Sequence, residues 1–387
     1  DLNINVSPTL KLNLTVNTDF AQVEADRIPV NLTRFSLFYP EKRAFFLEGQ
    51  GNYQFDIDGQ NRFFYTRRIG IENGMPVPVL GGARLFGKQG RHNIGALVLQ
   101  TGATGDAPTT NNAVFRYKHD IGEQSFVGGL VTSKINADVS SQVVAVDGGW
   151  NSNKFLGDKR IALEGWYARS ITDGELDSNG TSAGLWFAYP NDRWDCAALI
   201  GTTEGGFKPE LGFLNRTNYE LAEAEVNFQP RWFQKLGVRK MLFNLAEVSM
   251  YRTAHTGNVE SFSFSTSPLG VLLGKGDEAG LWFAWFEDGV AEAFDISDDI
   301  SIAAGRYSYR ETGFYVSTFR GRRLQMEWNG SWGTFFGGKK TTYNTSITGN
   351  FNKHFNVQLD HTWNALEFPV NDLRNKVRLE THEVALY

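Results

Sequence analysis

Apolar and polar residues alternate along most of this chain with a period of two. Between Thr9 and Asn17, Leu10, Leu12, Leu14 and Val16 fall on one side, and Lys11, Asn13, Thr15 and Asn17 on the other. That is the pattern of a strand whose two faces meet different surroundings. It recurs at Ala113–Lys118, Arg160–Tyr167, Leu324–Trp332, Tyr343–Phe351 and Phe355–Trp363. Turn dipeptides at Asn73-Gly74, Asp147-Gly148, Asp173-Gly174, Asn179-Gly180 and Asp288-Gly289 are expected to separate strands. Asn61–Gly70 also reads as a strand, carrying Arg62, Arg67 and Arg68. The pattern predicts an all-β, antiparallel chain of roughly 16–18 strands or more. It shows no helix of useful length and no domain boundary within residues 1–387. A β-sandwich would alternate in the same way. Two details favour a barrel. The polar faces carry Asn, Gln, Thr and Ser with paired charges over many consecutive strands, as a wet lumen requires. Aromatic residues also stand near strand ends, at Tyr189, Trp194, Trp232, Phe355 and Trp363, as interfacial girdles do.

One stretch breaks the alternation. Asp19 to Gly51 (DFAQVEADRIPVNLTRFSLFYPEKRAFFLEGQG) mixes charges of both signs with Phe20, Phe35, Leu37, Phe38, Tyr39, Phe45, Phe46 and Leu47, and Pro29 and Pro40 interrupt it. A solvated linker would lack the aromatics, and a lipid-facing strand would lack the charges. Two readings stand: a segment folded inside a barrel or across its mouth (19–51 as a plug), or an ordered loop between strands. The charges at issue are Asp26, Arg27, Arg34, Glu41, Lys42, Arg43 and Glu48, with Arg62, Arg67 and Arg68 just downstream. They form either a structural ion-pair network, since charges that leave bulk water must be paired, or a constriction that handles a polar solute. Glu41, Lys42, Arg43 and Glu48 are expected to lie close to Arg67 and Arg68.

Composition narrows the classes. Lys plus Arg is 38 against 43 for Asp plus Glu, a net charge of −5. This argues against a nucleic-acid partner, because there is no excess of positive charge to displace counterions. Aromatics reach 14%, with 41 Gly and only 11 Pro, which suits long twisted strands. The mean hydropathy of −0.33 is compatible with a membrane barrel, which needs apolar residues only at alternate positions. The longest apolar run, GLWFAWF at Gly280–Phe286, is far too short for a spanning helix. The chain begins DLNINVSP and is expected to be a mature or trimmed form. Cys196 is the single cysteine, so no intrachain disulfide and no Cys-based metal site is expected.

Candidate chemistry is sparse. Gly82–Lys88 has phosphate-loop spacing, but Gln89 stands where Ser or Thr is needed, so the match is read as chance. Glu292, Asp295, Asp298 and Asp299 fit no calcium loop and are read as a solvated acidic patch. The histidines are scattered, and no Ser sits in a GxSxG elbow. No catalytic residue, cofactor or metal ligand is therefore expected.

TDFAQVEADR followed by NLTRFSLFYPEKRAFFLEG resembles the signature of a bacterial family of unknown function (DUF5916-like). FFYTRRIG at Phe63–Gly70, Leu80–Gly102 and FKPELGFLNR at Phe207–Arg216 fit the same family. The resemblance implies an outer-membrane β-barrel, usually C-terminal to a family-9 carbohydrate-binding domain; no such domain occurs within residues 1–387. It carries three functional expectations: a barrel passing or handling polar solutes, with carbohydrate the favoured solute; a structural anchor or subunit of a larger outer-membrane assembly; or a surface glycan-binding protein or hydrolase. The implied partners are outer-membrane lipid, a polar or carbohydrate solute and other outer-membrane proteins.

Overall fold

The computed structural model describes residues 2–18, 31–55, 61–72, 75–174, 178–297, 300–352, 355–370 and 375–386. Asp26 and Arg27, and the part of the predicted plug between residues 19 and 30, lie outside these. Strands dominate, and 20 of them belong to one sheet. The only α-helix among the described residues is Ala44–Leu47 (α1). The residues group into two compact units, one of residues 1–27, 35–187 and 200–220, the other of 28–34, 188–199 and 221–387.

In the first unit, β1 (Leu2–Ser7) pairs with β2 (Leu10–Thr18). The chain then leaves the sheet, forms the two-residue strands β3 (Ile71–Glu72) and β4 (Met75–Pro76), and returns as β5 (Val79–Gln89) beside β2. From there it meanders through β6 (His92–Thr101), β7 (Thr110–Ile121), β8 (Ser125–Ile135), β9 (Val139–Phe155) and β10 (Lys159–Gly174), each antiparallel to the one before. β11 (Ser178–Pro190), β12 (Trp194–Thr203) and β13 (Tyr219–Phe228) follow in the same sheet, with their residues divided between the two units.

The buried face of these strands is mixed. Asn13, Thr15, Arg84, Asn112, Arg116, Thr132, Ser141 and Thr172 are buried. Their neighbours in sequence on the opposite face, among them Leu14, Val16, Phe115, Val131 and Ile171, are exposed. The buried face also carries Leu97, Leu99, Val114, Leu130 and Val143, which pack against Phe46, Tyr53, Phe55, Phe63 and Phe64 of the excursion between β2 and β5.

In the second unit, β14 (Val238–Met241) and β15 (Phe243–Thr253) both pair with β16 (Val259–Leu273). β17 (Glu278–Val290) follows. The hairpin β18 (Phe294–Ser297) and β19 (Ile300–Ile302) leaves the sheet and packs Ile296, Ile300 and Ile302 against Tyr309, Phe335 and Leu366. β20 (Gly305–Ser317), β21 (Leu324–Phe335), β22 (Gly338–Asn352), β23 (Phe355–Val370) and β24 (Asn375–Leu386) complete the meander. Register places Gln325, Glu327, Asn329 and Ser331 opposite Thr348, Ser346, Asn344 and Thr342, and these face Gln358, Asp360, Thr362 and Asn364. The other face holds Met326 opposite Ile347, and Tyr343 opposite Trp363, the last pair stacked at 5.5 Å. Among the described residues no ladder joins β1 to β24.

Several local expectations are corrected. Asp147-Gly148 lies inside β9 rather than in a turn, because the Asp147 carboxylate is held by Arg116 of β7. Asp288-Gly289 lies inside β17 for a parallel reason, with Tyr309 Oη donating to Asp288 at 2.6 Å. Asn179-Gly180 lies inside β11, where a Cβ on Gly180 would collide with the backbone of Phe207. Asn61–Gly70 is not a strand: Arg62 makes an isolated bridge with Phe213, and Thr66–Arg68 is a 3-10 turn. Its amides bond to residues 211–213 instead of a ladder.

Leu324, Met326, Trp328 and Trp332 form one exposed apolar row. In an apolar medium Met326→Arg should cost roughly 2–4 kcal/mol, whereas Gln325→Arg, on the polar face, should be tolerated. Refolding each variant in lipid and measuring the fraction of heat-modifiable folded protein on gels tests this. Equal yields would mean that the row does not face lipid.

Candidate functional site

The excursion between β2 and β5 carries charge into an apolar core, and each charge arrives with a partner. Arg43 ends an extended segment and α1 starts immediately after it. Its guanidinium is 5% exposed, pairs with Glu41 at 2.7 Å, and lies 4.2 Å from the centroid of the Phe46 ring. Nη1 donates to the Ile69 carbonyl and Nη2 to that of Thr66, at 2.7 and 2.8 Å. Glu41 also accepts from the Thr66 hydroxyl at 2.6 Å and from the backbone N–H groups of Lys42 and Arg43. Burial pushes the Glu41 carboxyl up, but the hydrogen bonds and charge of Arg43, with Thr66, outweigh it and hold the group below the usual carboxylate range. Every polar atom of this cluster is therefore answered locally, within a chain segment running from residue 41 to residue 69.

A second cluster ties the excursion to the sheet. Arg84 of β5, buried beneath α1, pairs with Glu48 at 2.6 Å. It also donates to the carbonyls of Phe45 and Glu48 and to Asn13 of β2. The rings of Phe45 and Phe86 cover its guanidinium at 4.3 and 4.8 Å. Lys11 reaches Glu48 from β2 at 2.9 Å, and its hydrogen bond leads the effects that hold the Glu48 carboxyl below the usual range. Arg116 of β7 forms a two-pronged pair with Asp147 of β9 at 2.7 and 2.6 Å, and donates to the Gln54 carbonyl. Such planar, paired contacts are the strong form of the charge-assisted hydrogen bond.

The structure thus unites Glu41 with Arg43, but joins Glu48 to Arg84 and Lys11 rather than to Arg67. Arg67 donates to the Pro40 carbonyl at 3.1 Å, and Arg68 to that of Gly212 at 3.0 Å. Arg62 lies over the Phe38 ring at 4.5 Å. Lys42 lies beside Glu41 through its backbone N–H. Arg34 belongs to the second unit, where it pairs with Glu260 at 2.7 Å and donates to the Gly289 carbonyl.

A second inward segment escaped the sequence reading. Residues 204–216 pack on the excursion: Phe207 against Phe63 at 5.1 Å, and Phe213 against Phe38 and Tyr65 at 5.3 and 5.5 Å. Its Glu210 pairs with Lys208 at 2.9 Å and Lys134 of β8 at 3.7 Å. The available signal was the mixture in FKPELGFLNR, which interleaves charges, large apolar residues and a proline as Asp19–Gly51 does. Among the described residues no cluster of His, Cys, Asp and Glu could hold a metal ion.

With this geometry in place, a comparison with protein families is informative. The model of a domain of unknown function, DUF5916, matches residues 1–77. The matched region holds β1, β2 and the first inward segment. β5 to β24 and the second inward segment lie beyond it. No curated protein matches the chain.

Two outcomes follow from the charge clusters. Glu48→Ala leaves the buried Arg84 guanidinium without its carboxylate and should loosen the segment by about 3–5 kcal/mol; Arg84→Ala removes the donor that also serves the Phe45 and Glu48 carbonyls and should loosen it as well. The double variant should lose less than the sum. Denaturant unfolding with limited proteolysis of the segment measures all three, and strictly additive losses would show that Arg84 and Glu48 do not act as a pair. The second outcome concerns acid. Because the Glu41 pKa is depressed in the folded state, its contribution is present above the ordinary carboxylate pKa and lost as pH falls through the folded value. The stability gap between wild type and Glu41→Gln should therefore be widest near neutrality and shrink in acid. A gap independent of pH would show that the carboxylate's charge contributes nothing.

Proposed function

We propose that this chain is a bacterial outer-membrane β-barrel that passes or holds polar solutes along its polar face, with the two inward segments of the first unit as a fixed plug. The observation that carries this reading is the exposed apolar face of the sheet. Phe115, Val131, Val144, Val146 and Ile171 are exposed while Asn112, Arg116, Thr132, Ser141 and Thr172 are buried. Each large apolar side chain left in water forfeits roughly 1.5–3 kcal/mol relative to burial, so a face built this way suits lipid. The polar face of the second unit supports the solute half of the reading. Asn344 donates to Asn329 at 3.0 Å, Ser346 to Asp360 at 2.7 Å and Thr342 to Asn364 at 2.8 Å. Such side chains exchange hydrogen bonds readily with water or solute hydroxyls.

A second reading is favoured by a different observation. The core of the first unit is dense, with Phe63, Ile69, Leu99, Val143 and Phe207 essentially inaccessible. A barrel sealed in this way would serve as an anchor or as a subunit of a larger outer-membrane assembly. A surface glycan hydrolase, the third expectation, gains no support from the groups brought together here.

Planar-bilayer recording separates the first two readings. Folded wild-type protein is expected to give stepwise conductance, raised when Arg84→Ala loosens the plug. Heat-modifiable protein that inserts yet stays silent in both forms would assign the anchor. Failure to insert into lipid at all would overturn the barrel itself.

A further inference from the structure

The polar face of the second unit contains a cleft of about 380 Å³ between β13 and β20, lined among others by Glu225, Asn244, Glu247, Ser267, Trp282 and Tyr315. Leu242 and three aromatic residues, Phe243, Trp282 and Tyr315, line it beside small polar residues, and two of the rings share one ladder. Trp282 of β17 pairs in register with Gly313 of β20, and Gly280 pairs with Tyr315. A Cβ on Gly313 would fall inside the indole, and one on Gly280 inside the phenol ring. Each ring therefore lies over a glycine of the neighbouring strand. This arrangement requires glycine at both positions and leaves the second side of each ring turned away from the sheet. The two rings occupy diagonal positions, which in an antiparallel pair are ~7–8 Å apart.

Hydrogen-bonding groups border this surface. Asn227 donates to Glu225 at 2.7 Å, and Asn244 donates to Asn227 at 3.0 Å and to Glu225 at 3.4 Å. Ser265 donates to Glu247 at 2.9 Å. The chain of amides ends on Asn244 Oδ1, a buried acceptor with no hydrogen-bond partner among the described residues. A buried acceptor left unsatisfied costs about 1–3 kcal/mol. The lining includes two carboxylates and neither Lys nor Arg, so it disfavours an anionic ligand.

From these features we infer that the cleft is a binding subsite for a neutral saccharide, whose C–H face stacks on Trp282 and Tyr315 while its hydroxyls bond to Glu225 and Glu247, which Asn244 helps to position. Sugars match both halves of the surface: an apolar ring face of pyranose width, and a rim of hydroxyls that donate and accept. The inference names a solute class for the polar face proposed above, but it rests on the cleft and not on conduction.

The test is equilibrium binding to the detergent-solubilised, folded protein, read by tryptophan fluorescence and by calorimetry. The probes are maltohexaose, cellohexaose and xylohexaose, with hexagalacturonate as the anionic control. At least one neutral hexasaccharide should bind saturably and hexagalacturonate should not. Trp282→Ala and Tyr315→Ala should each weaken binding about tenfold or more, and Trp282→Phe should retain most of it. Asn244→Ala should weaken it, while Ser346→Ala, elsewhere on the polar face, should not. Gel mobility before and after heating establishes that every variant is folded. No saturable binding by any probe, or equal binding by folded wild type and Trp282→Ala, would overturn the inference. Binding without conductance would uphold it and reject passage; conductance without binding would reject the subsite alone.

Discussion

A charge placed on the buried face of this sheet must be answered by a partner, and the architecture of the first unit follows from that requirement. An isolated ion loses its hydration on burial, and its attraction to a partner offsets the loss only when the geometry is good and the remaining lone pairs are satisfied. Glu41 and Arg43 meet both conditions, through Thr66 and the carbonyls of Thr66 and Ile69. Arg84 meets them by donating to the carbonyls of Phe45, within α1, and Glu48, just after it, and by pairing with the Glu48 carboxylate. These contacts are directional, so they admit few placements of the inward segments. The aromatic packing around them, Phe63 on Phe55 and Phe207 among others, adds bulk contact that is far less selective.

The same requirement explains why both inward segments are short of regular structure. A strand or helix satisfies its own backbone, and so leaves side-chain donors without carbonyls to serve. Here the carbonyls of Pro40, Phe45, Thr66, Ile69 and Gly212 accept from Arg67, Arg84, Arg43 and Arg68. Irregular backbone and buried arginine satisfy each other. Proline at 40 and 209 and glycine at 49 keep these stretches from extending the neighbouring ladders.

The second unit resolves the polar face differently. It holds ion pairs, as between Lys340 and Glu311 at 2.6 Å, beside uncharged residues and carboxylates that accept from Ser and Gln, as Asp360 does from Ser346 and Gln358. No aromatic core fills the region around Trp282 and Tyr315; a cleft remains there instead. The second unit is thus densely covered in one region, by the β18–β19 hairpin, and open in another, at the cleft.

The alternation of Leu324–Trp332, Tyr343–Phe351 and Phe355–Trp363 was enough, without any structure, to give the strand class, the antiparallel meander and the division into two faces. Side chains alternate across a strand by covalent geometry alone. The composition of Asp19–Gly51 likewise suggested a segment that packs on protein, as Phe45 and Phe46 in its described part do. Partners were a different matter. Arg84 sits in what resembled a chance phosphate-loop match, and Arg116 and Asp147 are 31 residues apart; nothing local joins them. Asp147-Gly148 read as a turn because short-range propensity favours one, and the cross-strand charge pair overrode it. Trp282 over Gly313 also depends on the register of β17 against β20. Register is set by the whole ladder, and a one-residue slip would reverse every face. The sequence by itself therefore determined which residues share a face. Only the tertiary structure decided which faces meet, because that depends on contacts between residues far apart in the chain.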